Sequence, residues 1–398
     1  MVWDVAIAGG GATGLTLALV LRRLSGGLLR VVLIDRADPA VRRGPRTSAL
    51  AEGPRRMLER VGVWDGLAQL AQPIWRMDIS DARLSEAVKS SLLTFESSES
   101  DAPLAYMVFH RDLEPHLLAA ALREGVDVIS DTIEDVSLAG ATASLTTKAT
   151  GLIRARLLVG ADGLRSRTRT AARIPLTSWP YNRSALVFTI RHERAHEGVA
   201  IQHFFENGPF ASLPVTGLRS SIVWTEQTSV AELCLSLSPM ELAREVEQRL
   251  GGCFGEVDLE DRPQSFPLVF QLAREFVGER LALVGDAAHR VHPLAGQGLN
   301  IGMRDVATLA ELVIGACRLG GDPGSTEVLD EYGRRRRFDA VTSAAAFDFL
   351  HKQYSSDNPI LRAGRRFAMG AVNNMHDAKR ILAREANGLN GAYPALFR

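Results

Sequence analysis

Gly9-Gly10-Gly11-Ala12-Thr13-Gly14 follows the strand-like segment Val2 to Ala8 and precedes the helix-like segment Leu15 to Arg23. The hexad fits G-x-G-x-x-G between a strand and a helix. Glycines there permit a tight turn and let the backbone approach a pyrophosphate, whose charge rests on the helix N-terminus. A further strand, Arg30 to Ile34, ends at Asp35, 21 residues beyond Gly14, where a carboxylate can accept hydrogen bonds from a ribose. Strand, helix and strand in this order predict a right-handed crossover and a doubly wound α/β sheet. With strand, helix and acid in register, the reading is a dinucleotide site rather than a structural glycine turn. The pattern does not separate FAD from NAD.

Residues 5–21 carry no charge, which approaches the shortest membrane span of roughly 17 residues. The glycine turn divides that stretch, however, and Asp4 stands where a signal peptide carries positive charge. Neither a transmembrane helix nor an export signal is expected. Lys and Arg together number 46 and Asp and Glu 46, so no bulk field recruits nucleic acid. Three cysteines, Cys234, Cys253 and Cys317, form no C-x-x-C pair and suggest free thiols in a reducing compartment, hence a cytoplasmic protein. A length of 398 residues, 46% of them hydrophobic, allows two or three domains of roughly 150 residues.

Periodicity predicts helices over 48–61 and Arg111 to Arg123, a hairpin at 132–138 and 142–148, and a strand at Leu157 to Val159. After Pro175 the pattern changes to short strands at 184–190, 199–205, 210–215 and 220–225, as in an antiparallel sheet. A helix from Pro239 to Leu250 follows. Strand Leu281 to Val284 and a helix from Gly298 to Cys317 restore the α/β pattern, and the remainder reads as helical. The expected organisation is a Rossmann-like domain from 1–72, 99–175 and 273–320, an inserted antiparallel β domain from 73–98 and 176–272, and a helical segment 321–398.

Two later segments bear on the cofactor. Gly285-Asp286-Ala287-Ala288-His289 leaves a buried strand at a carboxylate, and Asp286 is placed to bond a polyol such as the ribityl chain of FAD. The amides of Gly296 to Asn300 open a helix whose positive end suits the electron-rich edge of a flavin. Asp162, before Gly163, ends another strand, and by itself it reads as a helix N-cap. His192-Glu193-Arg194-Ala195-His196 matches the H-E-x-x-H zinc pattern. It lies between two short strands, where no long helix fits. His289 and His292 sit in a Pro/Gly loop with no carboxylate at a suitable spacing, so no metal is expected. There is no G-x-S-x-G nucleophile, and no strong acid–base dyad stands out.

These segments, with Asp162-Gly163-Leu164-Arg165-Ser166-Arg167-Thr168-Arg169 and the run from Gly285 to Asn300, resemble the FAD-dependent aromatic hydroxylases. Arg46-Thr47-Ser48-Ala49-Leu50, Val61-Gly62-Val63-Trp64-Asp65, Gln72-Pro73-Ile74 and Gly208 to Pro214 are similar to their ubiquinone-biosynthesis branch. Asp35 and Ile301 depart mildly from that branch's Glu and Leu. The resemblance implies noncovalent FAD, NAD(P)H as cosubstrate without a domain of its own, and chemistry carried by a flavin C4a hydroperoxide, with no catalytic side chain assigned. It implies cofactor contacts from Gly9, Gly10, Gly11, Ala12, Thr13, Gly14, Asp35, Arg36, Arg46, Arg111, Asp162, Asp286, Pro293, Gly296, Gln297, Gly298, Leu299 and Asn300.

The implied substrate is a polyprenylated phenol or quinol, in a pocket with Phe204, Phe210, Leu213, Pro214 and Trp224 as candidates. Two other functions stay open: hydroxylation of a soluble aromatic compound, and a non-catalytic flavin-binding component of a biosynthetic complex. Residues 352–398 hold eight Lys/Arg against three acids, which raises peripheral contact with the inner face of the membrane or with other ubiquinone-pathway proteins. A solvated basic face explains the same charges.

Overall fold

The computed structural model describes residues 1–36, 44–97, 102–290, 298–354, 359–375, 379 and 394–397; for 343–354, 359–363 and 365 it describes the backbone alone. The strand Val2–Ala8 is buried from Asp4 onward and lies between Val31–Asp35 and Gly151–Gly160, parallel to both. Leu281–Leu283 and Asp127–Ser130 extend this parallel core on its two sides. Strands buried on both faces need continuous apolar sequence, and Val31-Val32-Leu33-Ile34 supplies it. Ala12–Leu24 packs on His110–Arg123 and Gly298–Arg318. Each fully buried Leu or Val of this layer contributes roughly 1.5–3 kcal/mol.

Gly9, Ala161 and Val284 follow three of these strands and Asp35 ends a fourth, so their loops meet at one carboxyl edge of the sheet, where doubly wound folds bind ligands. The hairpin Ile133–Ser137 and Ala143–Thr147 joins Gly151–Gly160 as expected.

Among the described residues the second sheet has nine strands, almost all antiparallel. Its centre is the 17-residue strand Leu176–His192, flanked by Gln264–Ala273 and Arg219–Gln227; Gly208–Val215 and Val199–Phe205 follow. Arg76–Asp81 then pairs parallel with Val199–Phe205, and Leu93–Glu96 closes that side. Helices Thr228–Ser236 and Pro239–Leu250 cover one face. The second of these starts with a capping box, Ser238 with Glu241. The other face turns toward the parallel sheet and a three-stranded sheet of Thr47–Leu50, Ala105–Phe109 and Gln72–Ile74. The expected domain boundary at 175/176 precedes the long strand, whereas those at 72/73 and 272/273 fall within strands.

Periodicity misread 48–61. Residues Thr47–Leu50 form a strand, and the helix is only Glu52–Arg60. Backbone pairing with Ala105–Phe109 decides this, from Thr47 opposite Phe109 to Leu50 opposite Tyr106. Local helical preference is weak beside such tertiary pairing. Helices Thr326–Tyr354 and Pro359–Asn373 make up the C-terminal part. Among the described residues, no helix is long and apolar enough to cross a membrane. Of the basic C-terminal residues, Arg380, Arg384 and Arg398 and the side chains of Lys352, Arg362 and Arg365 lie outside the described residues.

Candidate active site

A cavity of about 1000 Å³ lies between the carboxyl edge of the parallel sheet and the uncovered face of the second sheet. Its first wall is the glycine turn. Gly9 has φ +111°, and a Cβ there would sit 2.3 Å from the Ala161 carbonyl oxygen; one on Gly14 would sit 2.0 Å from that of Gly9. Side chains are therefore excluded where the turn crosses its neighbours. The Gly10 amide donates to Asp35 Oδ2, which ties the turn to the end of the second strand. Gly11 caps the helix without a side-chain bond, and Gly11, Ala12 and Thr13 face the cavity. Uncapped first-turn amides at the positive end of a helix make an anion site.

Asp162 works as a brace. Its Oδ2 accepts the amides of Arg167 (2.7 Å) and Thr168 (3.1 Å), and its Oδ1 accepts the Thr168 hydroxyl (2.9 Å). Ser166 holds the cap position itself, accepting from the Arg169 amide. Arg169 is buried and donates to the carbonyls of Ala287 (2.8 Å) and Leu164 (3.1 Å), so the Asp162 loop and the Gly285–His289 segment are linked. Asp131, also on the wall, accepts the amides of Thr150, Ala149 and Thr132, which hold its carboxyl well below the usual range.

Asp286 is exposed on the cavity wall. Behind it lies a buried ionic cluster that no local pattern announced. Asp305 accepts the Gly285 amide (2.9 Å), His289 Nε2 (2.6 Å) and Arg336 Nε (2.7 Å). Burial pushes the Asp305 carboxyl up, but the charges and hydrogen bonds of His289 and Arg336 outweigh it and hold the group below its ordinary value. His289 thus has the carboxylate partner that the Pro/Gly loop did not offer, from the helix Gly298–Arg318.

Arg36 and Arg46 face the cavity. Arg111 is not on its wall. Its guanidinium lies 4.0 Å from the centre of the Phe109 ring and 3.9 Å from Glu260 Oε1, a stacked and paired position that turns it toward the second sheet. Gly298 and Leu299 line the cavity, whereas Pro293, Gly296 and Gln297 lie outside the described residues, as does His292. Asn300 acts as a clamp: its Nδ2 donates to the Ala49 carbonyl (2.7 Å) and its Oδ1 accepts the Ala51 amide (3.0 Å). That bond pins the helix start to the misread strand.

Opposite, the wall is apolar and includes Ala185, Val187, Leu213, Val223, Phe266 and Leu268. Of the five expected substrate residues, only Leu213 is on it. Phe210 and Trp224 pair across adjacent strands on the covered face, their ring centres 6.3 Å apart, and Arg249 lies 3.8 Å over Trp224. Pro214 shares the parity of Phe210, and Phe204 is buried without lining the cavity. Successive side chains of a strand point to opposite faces, so Phe210 and Leu213 cannot share one.

The H-E-x-x-H segment ends a strand and turns, without a helix. His192 bonds the Arg194 carbonyl (2.7 Å) and Ser220 Oγ (3.1 Å); His196 bonds the Val215 carbonyl (2.9 Å) and accepts the Gly198 amide (3.0 Å). All four ring nitrogens serve the fold.

One polar chain on the wall had no forecast. Ser48 Oγ lies 2.8 Å from His110 Nε2, and His110 Nδ1 lies 3.3 Å from Glu114 Oε1; all three residues line the cavity. His110 and Glu114 are four apart on one helix, a spacing visible in the sequence, but Ser48 comes from a strand 62 residues earlier.

The walls fit FAD. The glycine cradle excludes side chains, uncapped amides and two arginines await an anion, carboxylates stand at both strand ends, and an apolar wall follows. The volume is at the upper end of the usual range for small-molecule sites, roughly 300–1,000 Å³.

Comparison with known proteins agrees with this geometry. The model of the FAD binding domain family matches residues 2–346. Ubiquinone hydroxylase UbiL of Rhodospirillum rubrum is 39% identical over 97% of this chain and 89% of its own. The 3-demethoxyubiquinol 3-hydroxylase of Escherichia coli is 30% identical over 97% and 98%. In fold, p-nitrophenol 4-monooxygenase PnpA of Pseudomonas putida superimposes with a TM-score of 0.80, at 20% identity, over 98% of this chain and 99% of its own. The chain therefore belongs to the FAD binding domain family, among the flavin-dependent monooxygenases related to the ubiquinone hydroxylases.

Proposed function

We propose that this enzyme hydroxylates the aromatic ring of a polyprenylated phenol or quinol in ubiquinone biosynthesis, with NAD(P)H as electron donor. The observation that carries this reading is one continuous cavity in which a polar, anion-binding rim meets an apolar sheet face. The names of the relatives from R. rubrum and E. coli support the substrate class.

Bound FAD supplies electron transfer from the nicotinamide, activation of dioxygen and delivery of one oxygen atom to the ring. The residues of the chain bind, orient and exclude water. The amides of Gly11 to Thr13, with Arg36 and Arg46, would neutralise the pyrophosphate, Asp35 would bond the ribose, and Asp286 the ribityl chain. Gly298 and Leu299 would lie along the flavin. Leu213, Val223, Phe266 and Leu268 would seat the substrate ring and keep water from it.

Two measurements test the reading. Deleting the gene should accumulate a quinone precursor that lacks one ring oxygen, and the purified FAD-loaded protein should oxidise NAD(P)H faster with prenylated phenols than with soluble aromatic acids. Hydroxylation of soluble acids alone would sink the substrate class. Bound FAD with no NAD(P)H oxidation under any phenol would leave a non-catalytic component. A prenyl tail keeps such a substrate in the bilayer, and the eight Lys/Arg of residues 352–398 suit contact with an anionic surface as well as they suit a solvated basic face. Salt-sensitive sedimentation with anionic but not neutral liposomes would support surface contact, and equal failure with both leaves the solvated face.

A further inference from the structure

The Ser48–His110–Glu114 chain has no part in holding the cofactor as described above, yet all three side chains reach the cavity. Its order is that of a proton relay: a hydroxyl at the wall, an imidazole behind it and a carboxylate, only 5% exposed, at the end. The strand that carries Ser48 is fixed on both sides. Asn300 clamps the backbone at Ala49 and Ala51, and Thr47 Oγ1 lies 2.9 Å from Ser221 Oγ of the second sheet. Ser48 is therefore held near the seam where the polar rim meets Met107, Leu213 and Val223. A phenol whose ring rests on the apolar wall can turn its hydroxyl to this strip.

We propose that Ser48, His110 and Glu114 form the base relay that removes the substrate's phenolic proton. This rests on the phenol reading above. The substrate O–H bond breaks and its proton passes to Ser48 Oγ, while the Ser48 proton passes to His110 Nε2. A neutral phenol and a neutral imidazole become a phenolate and an imidazolium; no electrons leave the pair and no oxidant is consumed. Phenolate oxygen raises the electron density of the ring, which is what oxygen delivery requires. The proton returns along the same path when the hydroxylated product regains its O–H.

The relay requires the tautomer with hydrogen on Nδ1, facing Glu114, and leaves Nε2 to accept from Ser48. Glu114 is thus a positioning residue, which fixes that tautomer and lies beside the new positive charge. The charged groups that share this surrounding are Arg46 before the Ser48 strand, Arg111 beside His110 with its partner Glu260, and Asp35 and Arg36 on the cavity rim. Arg111 is drawn toward Phe109 and Glu260.

The test uses FAD-loaded wild type, His110→Gln, Glu114→Gln and Ser48→Ala, each checked for FAD content and melting temperature. The first readout needs no turnover. 4-Nitrophenol, whose phenolate is coloured, is titrated with pH while bound to the oxidised protein; its ionisation midpoint should lie lower on wild type than in water and rise by about one unit in His110→Gln and Ser48→Ala. The second readout is the pH profile of hydroxylation. His110→Gln should lose roughly 10²- to 10⁴-fold in kcat/KM, the contribution of a positioned base, with FAD content unchanged. Phenols acidic enough to ionise unaided should recover most of that loss, and Glu114→Gln should shift the profile with a smaller loss. If His110→Gln fails to fold, Ser48→Ala decides, because it keeps the His110–Glu114 pair. Phenols that bind and turn over with the same midpoint and profile in every variant overturn the relay but leave the functional reading intact. Failure of every phenol to bind the wild type overturns both.

Discussion

The cavity has two walls built by opposite means. One wall is built largely from backbone: the turn at Gly9–Gly14, first-turn amides, and loops leaving the parallel strands at Asp35, Ala161 and Val284. The other is built from alternate side chains of a broad antiparallel sheet. A backbone-built site needs particular residues at fixed spacings, because one added Cβ closes it. A sheet-built site needs only apolar side chains of the right parity, and many sequences satisfy that. The first wall should therefore fail abruptly on single substitutions, and the second gradually.

The largest effect is expected at the glycine turn. Gly14→Val places a Cβ about 2.0 Å from the Gly9 carbonyl oxygen and should abolish FAD loading, measured as flavin absorbance in purified protein. Gly298→Val is its control at the other end, where a Cβ meets nothing within 4 Å. That variant should fold, yet oxidise NAD(P)H without coupled hydroxylation; normal coupling would mean the flavin edge lies elsewhere.

Next come the buried positions of the two walls. Phe210→Ala should cost about 3–5 kcal/mol in stability with little change in KM, since it empties the covered face of the sheet. Leu213→Ala, three residues on, should raise KM with a smaller loss of stability. The reverse pattern would mean the register had been misassigned. Asp305→Asn leaves Arg336 and His289 buried beside a neutral amide and should likewise cost about 3–5 kcal/mol. Because the folded carboxyl is held below its ordinary value of 3.8, the wild-type contribution is fully present above that value. It is lost as pH falls below 3.8 toward the folded value. Urea unfolding between pH 7 and pH 3 should thus show a steeper acid loss for wild type than for Asp305→Asn.

Smaller effects complete the series. Asp286→Ala should weaken FAD binding by about 1.5–3 kcal/mol, roughly 10- to 150-fold, the worth of a hydrogen bond to a carboxylate. Arg111→Ala should change FAD affinity least of all. Its pairing with Glu260 is partly exposed, so stability should move by less than about 1 kcal/mol. A large loss of flavin from this variant would show that Arg111 swings to the cofactor.

The same contrast explains what was legible. G-x-G-x-x-G with Asp35, and Gly285-Asp286, announce themselves because every group involved is close in sequence to a strand end. The helix Pro239–Leu250 was legible to the residue, since its capping box and terminal Gly251 are local signals. The strand Thr47–Leu50 was not, because the strand it pairs with, Ala105–Phe109, is distant in the sequence. Asn300 was expected at the cofactor for its place beside a helix start. Its amide serves the backbone of Ala49 and Ala51 instead, about 250 positions away.

By itself the sequence determined the doubly wound sheet, the nucleotide cradle and the existence of an antiparallel partner sheet. Backbone turns, caps and continuous apolar strands are short-range requirements, and they leave short-range marks. Only the tertiary structure decided which face of the second sheet meets the cofactor side. It alone gave His289 its carboxylate, turned Arg111 onto Phe109, and brought Ser48 to His110 and Glu114. Those outcomes depend on strand register and on helices packed from distant parts of the chain. A side chain's neighbours there follow from geometry in three dimensions, which no spacing along the chain encodes.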